Sequence, residues 1–360
     1  MSFHVFSDGE GMNHNFSDIV VTGLAAISPA GVGLEPLRET LAGGVCRLTP
    51  IPEEVAGGAG HLWGKADGFR AADFMPPLKA RKFDRCSLFA VVAAGMALKD
   101  AGLDLALLDR TRIGIVLGCG FGGVVNSEEF LRGCLTKGGD GLVPMLFPNT
   151  VSNASASNAS IEHGLKGPNV THVQRFCSAE SALCMARRFL EEDRADILIT
   201  GGVDEVHPVI IRAFKSMGQL RSFGKSFGEG VGLLVLEKRD HAVRRGAAIR
   251  GGLGKIRTIG LLPQGYEAEG MDRLLGSSVE PSLVSLSGTA DEARFLAGRL
   301  SAVPALSSGK LLGRSLAMGG IAMVSLLLSL PAGKRGLHLA ASPEGPYYAV
   351  DFEGGTPVQS

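Results

Sequence analysis

The chain has 360 residues, of which 45% are hydrophobic and 20% are charged, so it can bury a large core and is not a disordered or tail-like protein. Lysine plus arginine and aspartate plus glutamate number 36 each, so no basic excess indicates a nucleic-acid partner. The six cysteines show no CxxC spacing, which argues against a disulfide framework or a zinc site and fits a reducing cytoplasm.

The sequence carries no pattern typical of export or of membrane insertion. The N-terminal stretch Met1–Asn15 is polar and contains acidic residues, the opposite of a signal peptide. The longest apolar stretch, Ser315–Leu330, is short for a membrane-spanning helix and is interrupted by Gly319 and Gly320. We therefore expect a cytoplasmic protein with no membrane partner.

Apolar runs and turn signals predict alternating strands and helices in the first two thirds of the chain. The predicted strands are Asp18–Ala26, Arg112–Gly118, Asn169–Val173, Asp196–Gly201 and Gly230–Leu236. The predicted helices are Leu34–Ala42, Arg85–Ala101, Ser152–His163 and Ser178–Glu192. The helix Ser152–His163 is rich in small side chains, which is typical either of a subunit interface or of close packing inside one subunit.

The same pattern begins again after Arg245. We predict strands near Ile249–Ile256, Leu283–Leu286, Val303–Leu306, Leu337–Ala341 and Tyr347–Phe352, with helices at Ala290–Leu300 and near Ala317–Leu330. Continuous apolar strands between helices indicate an α/β fold with buried, mixed or parallel sheets covered by helices. No low-complexity linker separates the halves, so we expect one compact unit.

Several phrases occur in an order that resembles the β-ketoacyl-acyl-carrier-protein synthases, of the thiolase-fold superfamily. They are "VVTGLAAISPAGVG", "ALKDAGLD", "RIGIVLGCGFGG", "FPNTVSNASASNASIEHGLKGPN", "ARRFLEEDRADILITGGVDEV" and "FGEGVGLLVLEKRDHAVRRGA". The resemblance implies a thiolase-like layered αβαβα fold built from two similar βα halves. It divides the chain into a polar segment at 1–16, an N-terminal half at 17–248 and a shortened C-terminal half at 249–360. It also implies a dimer that pairs through the region around Asn149–His163.

In this family, condensation needs a nucleophilic thiolate raised on a strand-to-helix turn. Counting seven residues on from Asn169 places Phe176 where the family's cysteine belongs, and Cys177 follows it. Adjacent side chains at such a turn point in different directions, so Cys177 is a poor substitute. We expect it to be a small buried side chain, and the alternative is a shifted nucleophile.

The family's two active-site histidines are also replaced. The "HGT" motif matches "SGT", which places Ser287 at the first histidine. The "SSxKxxxGH" motif matches "SSGKLLGR", which keeps Lys310 and places Arg314 at the second histidine. His338 fits neither motif. Because these residues act as a unit, their joint replacement predicts loss of the condensation reaction.

Other polar residues of the matched region are expected to be structural. His163 and His172 flank the "GPN" loop and are more plausible as packing residues than as replacements for the lost histidines. Glu229 of "FGEG" occupies a family position with a structural role. Gly120, Gly122 and Gly123 lack the lysine of a phosphate-binding loop and are expected to form tight turns.

Three functions follow from these observations. The leading hypothesis is a non-condensing subunit that resembles the chain-length factors of type II polyketide synthases and pairs with an active ketosynthase, with Phe176 filling the substrate pocket. A second is an acyl-transferring enzyme that uses Cys177, with Ser287, Lys310 and Arg314 as donors. A third is a homodimeric scaffold that binds acyl-carrier protein or an acyl ligand. In each, no cofactor or metal is expected, and acyl chains arrive on the phosphopantetheine of an acyl-carrier protein.

Overall fold

The structure is a computed structural model that describes residues 18–56, 60–220, 224, 226–262, 265–276, 280–287, 300–343 and 345–355. Its helices are α1 Leu34–Gly43, α2 Glu53–Ala56, α3 Pro77–Ala80, α4 Arg85–Asp100, α5 Val124–Lys137, α6 Ala154–His163, α7 Ser178–Glu191, α8 Pro208–Ser216, α9 Arg239–Arg244, α10 Glu267–Leu275, α11 Ser308–Leu312 and α12 Gly319–Ser329. The polar segment 1–16 lies outside the described residues, as does the predicted helix Ala290–Leu300 apart from Leu300 itself.

The strands join into one large mixed sheet and one small sheet. They are β1 Ile19–Ser28, β2 Gly31–Val32, β3 Thr49–Pro50, β4 Leu62–Gly64, β5 Ile113–Cys119, β6 Asn169–His172, β7 Ile197–Asp204, β8 Ser226–Gly228, β9 Gly230–Lys238, β10 Gly251–Ile259, β11 Leu283–Leu286, β12 Ala305–Ser307, β13 Arg335–Ala341 and β14 Tyr347–Gly354. The large sheet has the order β12-β11-β13-β14-β10-β1-β9-β7-β5-β6, with β2 beside β1, and β3-β4-β8 form the small sheet. Antiparallel pairing of β1 with β10 joins the two halves of the chain.

The hydrophobic clusters show five layers. Helices α4 and α6 cover one face of the first-half strands, and α10 covers the outer face of β10, β11, β13 and β14. Helices α7 and α12 lie between the two groups of strands, where they share one core with residues of β1, β9 and β14. A helix enclosed by sheets on both sides must be apolar all round, and every residue from Gly319 to Leu327 of α12 is buried. This is the layered α/β arrangement that the sequence predicts.

Helix α6 explains the small side chains that the sequence places at Ser152–His163. Ala156 and Ala159 are fully buried in the same core as the alanines of α4, so the small residues allow these two helices to approach closely. His163 belongs to this contact, since its Nε2 lies 2.8 Å from the carbonyl oxygen of Val91. Close internal packing therefore accounts for the buried face of α6, while Ile161 on its other face is 78% exposed.

The sequence prediction missed the short helices α2, α3, α9, α10 and α11, and it also missed α5 and α8. Helix α5 follows the glycine cluster and has no fully buried residue, although Val124 packs against the cluster around Phe176 and Phe130 packs on Phe147. It therefore lacks the buried apolar stripe by which a helix is predicted from sequence. Helix α8 is nine residues long and begins with Pro208 at a helix-start position, close after β7. Within the described ranges, none of the helices combines the length and the apolarity needed to cross a bilayer.

Candidate functional site

The chain turns sharply between β6 and α7. Arg175 lies in the left-handed region at φ 50°, which L-residues rarely adopt outside tight turns. The hydroxyl of Ser178 fixes the turn, because it donates to the carbonyl oxygen of Arg175 at 2.7 Å and accepts from the amide of Gln174 at 2.9 Å. The elbow expected from the sequence is therefore present, and the side chains on either side of it diverge.

Phe176 occupies the position where the sequence comparison places the nucleophile. It is 2% exposed and belongs to a cluster separate from the central core. The cluster contains Ile51, Val206, Ile210, Ile211, Phe214, Phe227 and Leu316. These residues come from the small-sheet region, from α8 and from the segment before α12. Large apolar side chains thus fill the space in front of the elbow.

The side chain of Cys177 does not join the cluster around Phe176. Its side chain has no exposed surface and lies in the central core with residues of α7 and α12. The thiol donates to the carbonyl oxygen of Pro346 at 3.3 Å, in the loop between β13 and β14. The thiol itself therefore has no solvent-exposed surface. Cys177 is thus buried in the central core, in a cluster separate from that of Phe176.

Ser287 and Arg314, which stand where the family has its two active-site histidines, lie in different parts of the fold. Ser287 follows β11 directly, is 3% exposed, and its amide donates to the carbonyl oxygen of Leu339 at 3.4 Å. Arg314 is half-buried and pairs through its backbone with Phe227, a member of the cluster around Phe176. Its guanidinium lies against Gly224, where an added Cβ would be 2.1 Å from Nη1. Arg314 therefore borders the filled pocket.

Lys310 lies apart from these residues. It is exposed on α11, and its carbonyl oxygen accepts from the thiol of Cys46 at 3.9 Å. The motif has two residues between Lys310 and Gly313 where the family pattern has three, so the chain after the lysine is one residue shorter. The lysine that the resemblance assigns to the site is exposed.

The glycines after β5 are needed for close approach, as the sequence predicts. Asp204 at the end of β7 accepts hydrogen bonds from the amides of Gly120 at 2.7 Å and Ala317 at 2.8 Å. A Cβ at Gly120 would lie 2.7 Å from the Asp204 carboxylate, and Gly122 has φ 75°. Burial raises the pKa of Asp204 to about 6, against the pull of these donors.

Glu229 is also structural. It is 1% exposed, forms a two-pronged pair with Arg85 at 2.6 and 3.1 Å, and accepts from the amides of Ala66 and Val206. It thereby ties the start of α4 to the loop after β7. His172 contacts Ser181 of α7 through Nδ1 at 2.8 Å, and partial burial lowers its pKa.

A buried polar pair behind the elbow was not found from the sequence. Glu180 and His338 are both fully buried, and Oε1 of Glu180 lies 2.7 Å from Nε2 of His338. On the other side of the ring, Nδ1 is 3.4 Å from the hydroxyl of Ser285, which itself donates to the carbonyl oxygen of Ala322 at 2.8 Å. The sequence contained one signal of this pair, because Glu180 is a charged residue on the apolar face of α7.

The exposed apolar side chains are concentrated on one lobe. We call residues 124–147 the α5 lobe. Its exposed apolar side chains include Leu131 at 59%, Leu135 at 86%, Met145 at 68% and Phe147 at 60%. Gly133 and Gly141 cross so closely that an added Cβ at either would lie within about 2 Å of the other's carbonyl oxygen, so the lobe folds back on itself.

The apolar surface continues past the lobe to the end of the large sheet. Val151, Ile161 and Val173 are 48%, 78% and 58% exposed. Val173 directly follows β6, which is the last strand of the sheet and has β5 on one side only. A sheet edge beside exposed apolar side chains is typical of a surface that another protein covers.

Comparison with known families and proteins agrees with this geometry. The sequence model of the "Beta-ketoacyl synthase, N-terminal domain" matches residues 16–242. A "3-oxoacyl-[acyl-carrier-protein] synthase 2" from Staphylococcus aureus (strain COL) is 30% identical over 250 residues, which are 64% of this chain and 60% of the relative. One from Synechocystis sp. is 31% identical over 251 residues, or 65% of this chain and again 60% of the relative. The aligned part thus spans about three fifths of these relatives.

Solved structures share the fold over nearly the whole chain. One is a type II polyketide synthase acyl-carrier protein in complex with its ketosynthase bound to the hexaketide, with a TM-score of 0.80, 21% identity and coverage of 94% of this chain and 100% of that one. The ishigamide ketosynthase/chain length factor also gives 0.80, at 22% identity and coverage of 94% and 99%. A β-ketoacyl synthase from Burkholderia phymatum gives 0.78 at 17% identity, covering 94% and 100%. The thiolase-like fold is therefore present.

Proposed function

Because this chain belongs to the β-ketoacyl synthase family, we propose that it is a non-condensing member that pairs with an active ketosynthase in fatty acid or polyketide chain elongation. In that pair it shapes the tunnel that receives the acyl chain. The acyl chain comes on the phosphopantetheine of an acyl-carrier protein, and no step of the proposed role needs a nucleophile from this chain. In this role the chain would resemble the chain-length factor of a type II polyketide synthase.

The observation that carries the proposal is the filled elbow. Phe176 stands at the nucleophile position and is enclosed by its apolar cluster, while Cys177 faces a different core and has no exposed surface. Thioester exchange requires a thiolate within reach of the acyl carbonyl. Ser287 and Arg314 cannot act as the neutral imidazole donors of the family. An intact fold with this site supports a partner role over a catalytic one.

The surface that supports pairing is the continuous apolar region formed by the α5 lobe, Ile161 and Val173. Met145 and Phe147 at 68% and 60% exposure are the kind of side chains found at the buried centre of protein interfaces. Beside them lies β6, which is the last strand of the large sheet among the described residues and so presents a sheet edge. We propose that an active ketosynthase covers this region, which includes the stretch Asn149–His163, and that a second copy of this chain is the competing occupant.

One experiment tests both the pairing and the chemistry. The chain is produced with and without an active ketosynthase of the same organism, and molar mass is measured by light scattering. Each sample is then mixed with acyl-carrier-protein thioesters of several chain lengths, and intact masses are recorded. We expect a heterodimer in which only the ketosynthase carries an acyl group.

Two results would contradict the proposal. An acyl adduct on this chain that disappears in Cys177→Ala would establish the buried cysteine as a nucleophile and favour the acyl-transferring enzyme. A stable homodimer that ignores the ketosynthase, with acyl ligand retained through purification, would favour the scaffold. Cys46→Ala is the matched control, because Cys46 is an exposed thiol that belongs to neither cluster at the elbow.

A further inference from the structure

A short exposed segment before α4 carries uncompensated positive charge. We call residues 74–82, which include α3, the basic segment. Arg81 and Lys82 are both exposed, and neither forms an ion pair with a residue that the structure describes. The chain as a whole has 36 basic and 36 acidic residues, so the positive charge of the basic segment is a local excess. Such an excess acts on a partner within about one Debye length of it.

The acidic residues on either side of the basic segment do not cancel this charge. Asp73, just before the segment, pairs with Arg70 at 3.1 Å. Asp84, just after it, is 3% exposed and faces the interior. The charges of Arg81 and Lys82 therefore face solvent and can attract a negatively charged surface.

The basic segment also exposes apolar side chains. Leu78 is 75% exposed and Phe74 is 45% exposed, although the ring of Phe74 stacks on that of Phe69 at 5.8 Å between centroids. Apolar side chains with charged neighbours are typical of a protein interface, where a packed centre is surrounded by a polar rim. The combination fits an acidic protein surface with an apolar side chain of its own.

The basic segment borders the stretch Asn149–His163 of the proposed pairing surface. The side-chain amide of Asn149 donates to the carbonyl oxygen of Lys82 at 2.8 Å. Lys79 of α3 forms an ion pair with Glu162 of α6. These two contacts hold the segment against α6 and the loop before it. A protein that covers the stretch Asn149–His163 therefore also comes close to the basic segment.

We propose that the basic segment binds an acidic patch at the rim of the ketosynthase interface and thereby speeds the association of the two subunits. This inference rests on the proposed function, since it takes the ketosynthase as the protein that covers α6. Carboxylates of the ketosynthase face Arg81 and Lys82, and an apolar side chain packs on Leu78. Charges at an interface rim act mainly on the rate of association, while packed apolar groups act on the rate of dissociation.

The charges of the α5 lobe do not make a second copy of this chain a good match for the basic segment. The charged residues of the lobe are Glu128, Glu129, Asp140, Arg132 and Lys137. Glu128 is already paired with Arg132 of the same helix. The charges of the lobe thus nearly cancel. Electrostatic attraction therefore favours a partner with a more acidic surface over a second copy.

Association kinetics with the ketosynthase test the inference. Rate constants of association and dissociation are measured for the full chain at several salt concentrations. Arg81→Glu combined with Lys82→Glu should lower the association rate constant about tenfold at low salt. The difference from wild type should vanish near 1 M salt, where the Debye length is about 3 Å. Leu78→Ala should instead raise the dissociation rate constant and leave association unchanged.

Lys99→Glu combined with Lys334→Glu is the matched control, because it changes the net charge by the same amount. Both lysines are exposed. Lys99 lies in the last turn of α4, about 20 Å along the helix from the end that follows the basic segment. Lys334 directly precedes β13, in the second half of the chain. The control should associate at close to the wild-type rate.

The outcomes separate this inference from the proposed function. Equal association rates of the double variant at 81 and 82 and of the control would overturn the inference and leave the pairing intact. Unchanged pairing together with loss of acyl-carrier-protein binding by the assembled pair would also overturn it, because the basic segment would then belong to the carrier protein. Failure of the wild-type chain to bind any ketosynthase would defeat the proposed function itself.

Discussion

Helices α12 and α5 both contain many apolar residues, but α12 is buried in the core and α5 lies at the surface. Helix α12 is enclosed between two groups of strands, with every residue from Gly319 to Leu327 buried. Helix α5 buries none, and Leu135 on it is 86% exposed. The first belongs to a core that one chain completes by itself. The second is an exposed apolar surface of the kind that a partner protein covers.

The largest expected effect comes from the enclosed region. Phe176→Ala should lower the free energy of unfolding by about 3–5 kcal/mol, because it removes a large, fully buried ring from a close-packed cluster. Chemical denaturation measures the change. Leu107→Ala is the matched control, since Leu107 is 82% exposed and its truncation should cost less than about 0.5 kcal/mol. A loss no greater than that of the control would mean that the elbow is not filled.

The buried pair tests whether polar contacts in the same region join the two halves. His338→Gln should cost about 1–3 kcal/mol, since it leaves the Glu180 carboxylate without its matched partner. Combined with Glu180→Gln, the losses should be less than additive. A double-variant cycle by denaturation gives this coupling. Additive losses would show that Glu180 and His338 stabilise the fold independently.

Acid stability should differ between Glu205→Gln and wild type in a defined pH window. Burial raises the pKa of Glu205 from 4.5 to about 7 in the native protein. Between these two pH values the native side chain therefore holds a proton that the unfolded chain has lost. Wild-type stability should therefore fall relative to Glu205→Gln by about 1.4 kcal/mol per pH unit between about pH 5 and about pH 7. Unfolding curves at several pH values measure the difference. A constant difference would place the Glu205 pKa near its ordinary value.

Substitutions in the exposed region should have the smallest effect on the free energy of unfolding. They should, however, have a large effect on assembly with a ketosynthase. Leu135→Asp should change the free energy of unfolding by less than about 0.5 kcal/mol, because the side chain has nothing packed over it in the single chain. Pairing with a ketosynthase should be lost, since a carboxylate would then be buried at the interface. Light scattering measures the assembly. Leu107→Asp, outside the lobe, should assemble normally.

The enclosed part of the molecule was the more predictable from sequence. Strand β11 has the predicted bounds Leu283–Leu286, and α4 begins at Arg85 as predicted, with Asp84 capping it through the Ser87 amide. Continuous apolar runs and capping residues are local signals, so they are readable without the fold. The place of Phe176 followed from its spacing to Asn169, because the elbow is a local turn between adjacent elements.

The rest depends on contacts between distant residues. Glu180 and His338 are 158 positions apart, so their pairing follows from the register of β13 against α7 and not from a motif. Helix α5 lacked a periodic buried face, and the sequence prediction therefore passed over it. The exposure of Lys310 depends on how α11 packs on the rest of the molecule, which the motif does not specify. The partner itself remains a proposal, because its surface is not part of this chain.

The close contact between Gly319 and Glu180 makes these two positions depend on each other. A side chain at position 319 would place its Cβ 1.8 Å from Oε1 of Glu180. A larger residue there would therefore require the Glu180 carboxyl group to move away from His338, which it contacts at 2.7 Å. We expect a substitution at position 319 to be accepted only together with a compensating change at position 180.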